Sequence, residues 1–231
     1  NRIDRRMWGR AGAKIGICAA GKNWLDVVHA MSLLGIDEAE AERLGITTYK
    51  IGQTWPLDMV SFHEWAEGLD LVIVVEEKRK LIEVQVKEAI FDDRRGRRVY
   101  GWHKGDSWEN GRQVELFPTR YALDPVLIAQ RLGDILIEEG RRTDRLESAL
   151  SKLAETRRND NAPEVATRTP WFCSGCPHNS STKVPEGSRA YAGIGCHYMV
   201  QWMDRETTGF TQMGGEGVNW VGEAPFSKRP H

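Results

Sequence analysis

Short apolar runs alternate with helical patterns through the first 100 residues. After Asp70 the chain continues without a polar residue to Val75, which is typical of a strand buried on both faces of a sheet. Residues 13–20 and 47–51 are two further strand candidates, and each precedes apolar residues at helical spacing. Because strands that alternate with helices are joined by parallel crossovers, the pattern predicts an α/β fold with an open, parallel, doubly wound sheet.

The next part of the chain loses this regularity. Residues 94–117 are rich in Gly, Arg, Trp and charge, so we expect an extended connector with one edge strand near residues 98–102. Two helices are predicted after it, over residues 124–139 and 143–157. Pro125 falls in the first turn of the first helix, where its missing N–H does no harm.

Residues 158–170 show no period and carry Asn, Asp, Pro and Thr, so they are the clearest linker. We therefore expect an α/β domain over residues 1–105, a connector with two helices over 106–170, and a second domain over 171–231. The chain begins with Asn1 rather than Met and stops without a closing helix or strand pattern. We expect an internal piece of a larger protein, with the second domain incomplete.

Charge and hydropathy narrow the possible partners. Lys plus Arg number 32 and Asp plus Glu 33, a formal net charge of -1, which argues against nucleic acid or an anionic membrane as a partner. The longest apolar stretches, such as residues 69–75 with Asp70 as their one charged residue, are far shorter than the roughly 20 residues that cross a bilayer. No signal peptide is visible, so we expect a cytoplasmic protein with reduced thiols.

Three of the four cysteines lie close together after the linker. Cys173 and Cys176 are separated by two residues, and Cys196 follows after 19 more. A two-residue gap lets a tight turn aim two thiolates at one metal, and a glycine at position 175 lets the backbone curl there. Zinc and iron-sulfur clusters usually take four protein ligands. Cys18 is not an obvious fourth ligand, because it lies early in the chain in a predicted buried strand.

The identity of such a metal stays open on spacing alone. His178 and His197 lie beside the cysteines and imidazole is a good zinc ligand, although neighbours of a ligand rarely turn toward the same ion. The cysteines have three alternative roles: they bind zinc, they bind an iron-sulfur cluster, or they form a metal-free turn packed under Trp171 and Phe172. The segment Met213-Gly-Gly-Glu-Gly217 is a further candidate, because glycines permit an anion nest for phosphate, although such turns are also common without a ligand.

Two groups of motifs resemble one enzyme family. The first group consists of FCSGCPH at 172–178, VPEGSR at 184–189, AGIGCHYM at 192–199 and QMGGEG at 212–217. These strings are similar to the start of the thiamine-diphosphate-binding domain of fused, bacterial indolepyruvate:ferredoxin oxidoreductases. Those enzymes belong to the 2-oxoacid:ferredoxin oxidoreductases. Upstream, WPLD at 55–58 and IVVEEKRKLIEVQVKE at 73–88 resemble the transketolase-C-terminal-like domain that precedes it. The resemblance covers nearly the whole chain in order.

The resemblance implies part of an enzyme that oxidatively decarboxylates aryl 2-oxoacids such as indolepyruvate. Its cofactors would be thiamine diphosphate with magnesium and a [4Fe-4S] cluster, coenzyme A would collect the acyl group, and ferredoxin would accept the electrons. The partners implied are the remaining domains of the parent enzyme and a second copy in a homodimer. We expect the isolated fragment to be inactive.

The resemblance also implies roles for individual residues. Cys173, Cys176 and Cys196 match three cluster ligands, and the fourth lies outside the chain. The residues expected to contact thiamine diphosphate are Gly175, Pro177, His178, Gly193, Gly195, Met213, Gly214 and Gly215. The Gly-Asp-Gly motif that holds magnesium is absent from this sequence. His178 is the candidate catalytic residue, as hydrogen-bond donor or proton shuttle, and the alternative is that it closes the turn with a backbone hydrogen bond.

Two further predictions concern the segment after the buried strand and an alternative function. Glu76 and Glu77, followed by Lys78 and Arg79, come after a buried strand, where open parallel sheets place ligands, but they also suit the first turn of a helix. The alternative function is a non-enzymatic zinc-binding or structural interaction module. It predicts a self-contained metal site or metal-free cysteines.

Overall fold

The computed structural model describes residues 3–93, 95–160 and 168–230. The chain forms two compact units, Asn1–Ala162 and Pro163–His231. In the described ranges, no helix is both long enough and apolar enough to cross a membrane.

The first unit is built on a five-stranded sheet in the order β1-β3-β2-β4-β5. Its strands are β1 (Arg5–Arg6), β2 (Ile15–Ala20), β3 (Ile46–Ile51), β4 (Leu71–Val75) and β5 (Arg98–Tyr100). Strands β2 to β5 pair in parallel, and β1 is antiparallel at one edge. The predicted open parallel α/β sheet is confirmed.

Four helices connect these strands and cover both faces of the sheet. They are α1 (Gly21–Leu33), α2 (Glu38–Arg43), α3 (Met59–Ala66) and α4 (Leu81–Ala89). Along β4, Leu71, Ile73 and Val75 enter one core, which contains α1, while Val72 and Val74 enter the other, which contains α3 and α4. Successive side chains of a strand point to opposite faces, so burial on both faces requires the unbroken apolar run of the sequence.

Two longer helices complete the first unit, α5 (Pro125–Glu138) and α6 (Asp144–Asp160). The side chain of Asp124 caps α5 by accepting a 2.8 Å hydrogen bond from the N–H of Val126. The apolar side of α5 joins the same core as α1 and β2, through residues such as Leu132 and Leu136. The structure thus places the two helices of the predicted connector within the first unit.

A hairpin of β6 (His103–Glu109) and β7 (Arg112–Glu115) follows β5. The sequence prediction had an edge strand over residues 98–102 and an otherwise extended connector, so it missed the hairpin. The reason is that both strands are polar and none of their residues is fully buried, so they carry no alternating apolar pattern.

The second unit has little regular structure in residues 168–230. It contains α7 (His178–Ser181), α8 (Val218–Glu223) and two 3-10 helices, Gly195–Trp202 and Ala224–Phe226. Its core consists of Phe172, Ala192, Val200 and Met203, and one isolated parallel bridge joins Ala190 to Thr207.

Candidate functional site

A tight turn presents the first two cysteines of the second unit. The N–H of Cys176 donates a 3.1 Å hydrogen bond to the carbonyl of Cys173, and Gly175 between them has a φ of 75°. A side chain at this position would be strained, because a positive φ at the third residue of such a turn favours glycine. The side-chain amide of Asn179 donates to the Cys173 carbonyl at 3.0 Å and braces the turn from α7.

His178 lies at the centre of the aromatic contacts around this turn. Its ring stacks on Phe172 with 5.1 Å between centroids and on His197 with 5.8 Å. Its Nδ1 is 3.2 Å from the Sγ of Cys176. Thr182 donates a 2.6 Å hydrogen bond to the carbonyl of His178 and so fixes the backbone behind the ring. The imidazole is therefore held beside a thiol, in an orientation set by packing.

His197 closes a second loop of the same cluster. The N–H of Gly193 donates a 2.6 Å hydrogen bond to its Nδ1, so this nitrogen acts as an acceptor. Burial lowers the pKa of His197 below its ordinary value, and the nearby His178 lowers it further. Sequence reasoning considered His197 only as a zinc ligand; the Gly-x3-His spacing, which lets the ring turn back onto its own loop, is the signal for its structural role.

The three candidate ligand thiols differ in position. Cys173 and Cys196 are exposed and Cys176 is half-buried against the small core. No three His, Cys, Asp or Glu side chains among the described residues are grouped to hold a metal ion. The structure therefore joins Cys173 and Cys176 in one turn and does not gather Cys196 with them into a preformed site. Cys18 is fully buried in β2, where burial raises its thiol pKa, as expected for a structural cysteine.

The second glycine segment forms another tight turn. Gly215 donates its N–H to the carbonyl of Gln212 at 3.0 Å, and Gly214 has a φ of 83°. The hydroxyl of Thr211 donates to the carbonyl of Gly215 at 2.5 Å. In the hydrogen-bond network of the described residues, the N–H groups of Met213 and Gly214 have no protein acceptor. These groups are available to an anion, as a nest requires.

The edge of the first unit's sheet, outside the carboxyl ends of β2 and β4, is filled by the chain itself. Glu77 accepts hydrogen bonds from the N–H of Leu123 at 2.8 Å and from Asn23 at 3.4 Å. Lys22 lies 3.7 Å from Glu77 and donates to the carbonyl of Leu123 at 3.1 Å. Glu76 caps α4 by accepting from the N–H of Ile82 at 2.9 Å. Both glutamates therefore have structural partners at this edge.

The family follows from a match over most of the chain. A family model described as an indolepyruvate oxidoreductase domain matches residues 5–160. The chain belongs to this family. The matched region ends before the cysteine turn, so it covers the sheet, the hairpin and the helices α5 and α6.

Curated relatives carry the same family name. The chain is 27% identical over 173 residues to the indolepyruvate oxidoreductase subunit IorA of Pyrococcus horikoshii, covering 75% of this chain and 23% of the relative. It is 27% identical over 194 residues to IorA of Thermococcus kodakarensis, covering 82% of this chain and 26% of the relative. The chain thus spans about a quarter of the length of these relatives.

Two solved structures resemble this chain at low identity. One is a 2-oxoglutarate:ferredoxin oxidoreductase from Magnetococcus marinus, with a TM-score of 0.35, 17% identity, and coverage of 58% of this chain and 19% of that one. The other is a split gene transketolase described as an inactive beta4 tetramer, with a TM-score of 0.37, 18% identity, and coverage of 58% and 41%.

Proposed function

We propose that the chain is part of an enzyme that oxidatively decarboxylates aryl 2-oxoacids, indolepyruvate in particular, with coenzyme A. Ferredoxin would accept the electrons. One observation carries the proposal, namely membership of the indolepyruvate oxidoreductase domain family over residues 5–160. The chain would act together with the remaining domains of a larger cytoplasmic enzyme that forms a homodimer.

Within this enzyme, the first 105 residues would be the transketolase-C-terminal-like domain. Residues 106–170 would connect it to the next domain, with α5 and α6 packed on the first unit. Residues 171–231 would begin the domain that binds thiamine diphosphate and magnesium. When bound, thiamine diphosphate supplies the decarboxylation chemistry, while the protein supplies position and exclusion of water.

The residues of this chain that we assign to thiamine diphosphate lie on turns and loops or at the first residue of a short helix. Met213, Gly214 and Gly215 would contact the diphosphate, and the unused N–H groups of the first two support this. The other contacts would come from Gly175, Pro177, Gly193 and Gly195. His178 would donate a hydrogen bond near the reacting carbon, supported by the packing that fixes its ring between Phe172 and His197.

The cluster ligands are a separate proposal. Thiolates are the usual ligands of iron-sulfur clusters, and we assign Cys173, Cys176 and Cys196 to a [4Fe-4S] cluster with a fourth ligand outside the chain. The described arrangement does not fit a preformed cluster, because no three ligand side chains are grouped. Cys196 would have to approach the Cys173–Cys176 turn when the cluster assembles.

The activity is tested on the full-length protein under anaerobic conditions. Reduction of ferredoxin or a viologen dye is followed with indolepyruvate, with and without coenzyme A and thiamine diphosphate. We expect reduction that requires both. If the protein reduces the acceptor with neither cofactor, or with no aryl 2-oxoacid, the proposed function is wrong.

The cluster is tested by composition rather than by turnover. Iron and sulfide content and the visible spectrum are compared for the wild-type protein, Cys173→Ser, Cys176→Ser and Cys196→Ser, with Cys18→Ser as the matched control. We expect the three variants to lose iron and Cys18→Ser to retain it, since Cys18 is buried in the sheet. Zinc in place of iron, or equal iron in all variants, would contradict the ligand assignment.

A further inference from the structure

The outer side of α4 carries an exposed apolar patch on the first unit. Leu81 and Val84 are 41% and 56% exposed, and Trp55 in the loop after β3 is 68% exposed. The side-chain amide of Gln85 donates to the carbonyls of Thr54 and Leu81, each at 2.9 Å, so this loop lies beside the first turn of α4. Trp55, Leu81 and Val84 therefore form one patch, the α4 surface. Contiguous exposed apolar side chains of this kind mark interaction sites.

Val84 lies at the centre of the exposed side of this helix. The exposed residues of α4 are Leu81, Val84, Lys87 and Glu88. Because helical residues are about 100° apart around the axis, these four span an arc of about 120° with Val84 at its centre. Val84 is also close to the middle of the helix along its length, from Leu81 to Ala89. If two copies of α4 packed antiparallel, the two-fold axis would pass near this position and the residue there would contact its own copy.

The exposed charges of α4 run against the helix dipole. Three cations, Lys78, Arg79 and Lys80, immediately precede the helix. Two exposed carboxylates, Glu88 and Asp92, lie in its last turn and just beyond it. Carboxylates stabilise the N-terminus of a helix and cations its C-terminus, so each end of this side carries the less favourable sign.

The inner side of α4 follows the dipole instead. The carboxylate of Glu76 accepts a 2.9 Å hydrogen bond from the N–H of Ile82 at the start of the helix. Glu83, near the N-terminus, accepts from Lys87, nearer the C-terminus, at 2.5 Å. The stability of the helix therefore accounts for the inner charges and not for the reversed order of the exposed ones.

Antiparallel packing on a second copy explains both the apolar patch and the reversed charges. Lys80 and Glu88 each lie four positions from Val84, so a two-fold axis at Val84 places Lys80 opposite Glu88 of the partner subunit, twice per dimer. Neither residue forms an ion pair within the described part of the chain. We propose that the α4 surface binds the same surface of a second copy, burying Trp55 and Leu81 on both sides of the axis. The inference rests on the homodimer proposed above and names its contact in the first unit.

A cysteine at the axis tests the arrangement directly, because a residue on a two-fold axis faces itself. The full chain carrying Val84→Cys is oxidised mildly with oxidised glutathione and analysed on a gel without reducing agent. We expect a covalent dimer, with peptide mapping that places the new disulfide at position 84 of both copies. Leu25→Cys is the matched control, since Leu25 is 66% exposed on α1, which packs on the other face of the sheet, and it should give no dimer above wild type.

Sedimentation equilibrium of the full chain tests the charges. Glu88→Lys alone should weaken the dimer at least about threefold, because like charges then face each other twice. Adding Lys80→Glu should restore most of the affinity, although Lys80 also lies 4.5 Å over the Trp102 ring. Val84→Glu should weaken the dimer at least about tenfold by placing two carboxylates at the axis, whereas Leu25→Glu should not change it.

Three results would overturn the proposal. A chain that stays monomeric at its highest soluble concentration would assign the α4 surface to a different partner. A dimer that forms no disulfide at position 84 and tolerates Val84→Glu would be held by another surface. Failure of the double charge exchange to restore association would refute the antiparallel pairing of Lys80 with Glu88 of the partner subunit. Association is measured without turnover, so each of these failures is distinct from failure of the proposed oxidoreductase activity.

Discussion

Removal of the Glu77 carboxylate should destabilise the first unit measurably. The side chain is 13% exposed and accepts the 2.8 Å hydrogen bond from the N–H of Leu123, a residue that is itself 2% exposed. In Glu77→Ala this N–H loses its acceptor, which should cost about 1.5–3 kcal/mol of unfolding free energy. For a unit of this size, roughly 2–4 °C accompanies each kcal/mol, so the Tm should fall by about 3–12 °C.

The pH dependence of the unfolding free energy shows whether the charge of Glu77 stabilises the fold. Burial works to raise the pKa of Glu77, but the hydrogen bonds from Leu123 and Asn23 and the charges of two lysines outweigh it, so its pKa lies below the ordinary 4.5. A lowered pKa in the folded state means that the stabilisation is fully present above pH 4.5 and is lost as the pH falls through the folded pKa. The stability difference between wild type and Glu77→Gln should therefore shrink on acidification.

The assay is urea unfolding of the wild type and variants at neutral pH and near pH 4. Glu88→Gln is the matched control, since Glu88 is an exposed glutamate of α4, and its effect should stay within about 0.5 kcal/mol. If Glu77→Ala behaves like this control, or if the effect of Glu77→Gln grows at low pH, the account of this sheet edge is refuted.

Two further predictions concern packing and thiol reactivity. Gly16→Ala should reduce the unfolding free energy by about 1–3 kcal/mol and lower the urea midpoint, because the added Cβ would lie 2.7 Å from the Trp65 ring. An unchanged midpoint would show that the core is packed less tightly than described. A maleimide reagent at neutral pH should modify the exposed Cys173 and Cys196 and leave Cys18 unmodified, because burial raises the pKa of that thiol. Peptide mapping checks this, and equal modification of Cys18 would contradict its place in the sheet.

The sheet could be predicted because the burial of each strand determines the residue pattern within that strand. An unbroken apolar run such as residues 71–75 is required where both faces of a strand are covered, and the helices between such runs carry apolar residues on one side. The hairpin was missed for the opposite reason, since its polar strands enter no core and have no apolar period. Its turn does carry a signal, because Asn110 and Gly111 adopt φ values of 51° and 74°, the combination that Asn-Gly favours in two-residue hairpin turns.

The candidate sites show where sequence reasoning stops. The Cys173–Cys176 turn with Gly175 was predictable, because short spacing and a glycine determine its backbone. The placement of Cys196 depends on tertiary packing over 19 intervening residues, which no local pattern encodes.

Carbon dioxide release by the full-length protein tests the central claim most directly. Indolepyruvate labelled at its carboxyl carbon is supplied with coenzyme A, thiamine diphosphate and an electron acceptor, and labelled carbon dioxide is measured together with reduced acceptor. The account predicts release that depends on thiamine diphosphate, with one carbon dioxide for every two electrons transferred. Electron transfer without carbon dioxide, or no release from any aryl 2-oxoacid by the assembled enzyme, would contradict it.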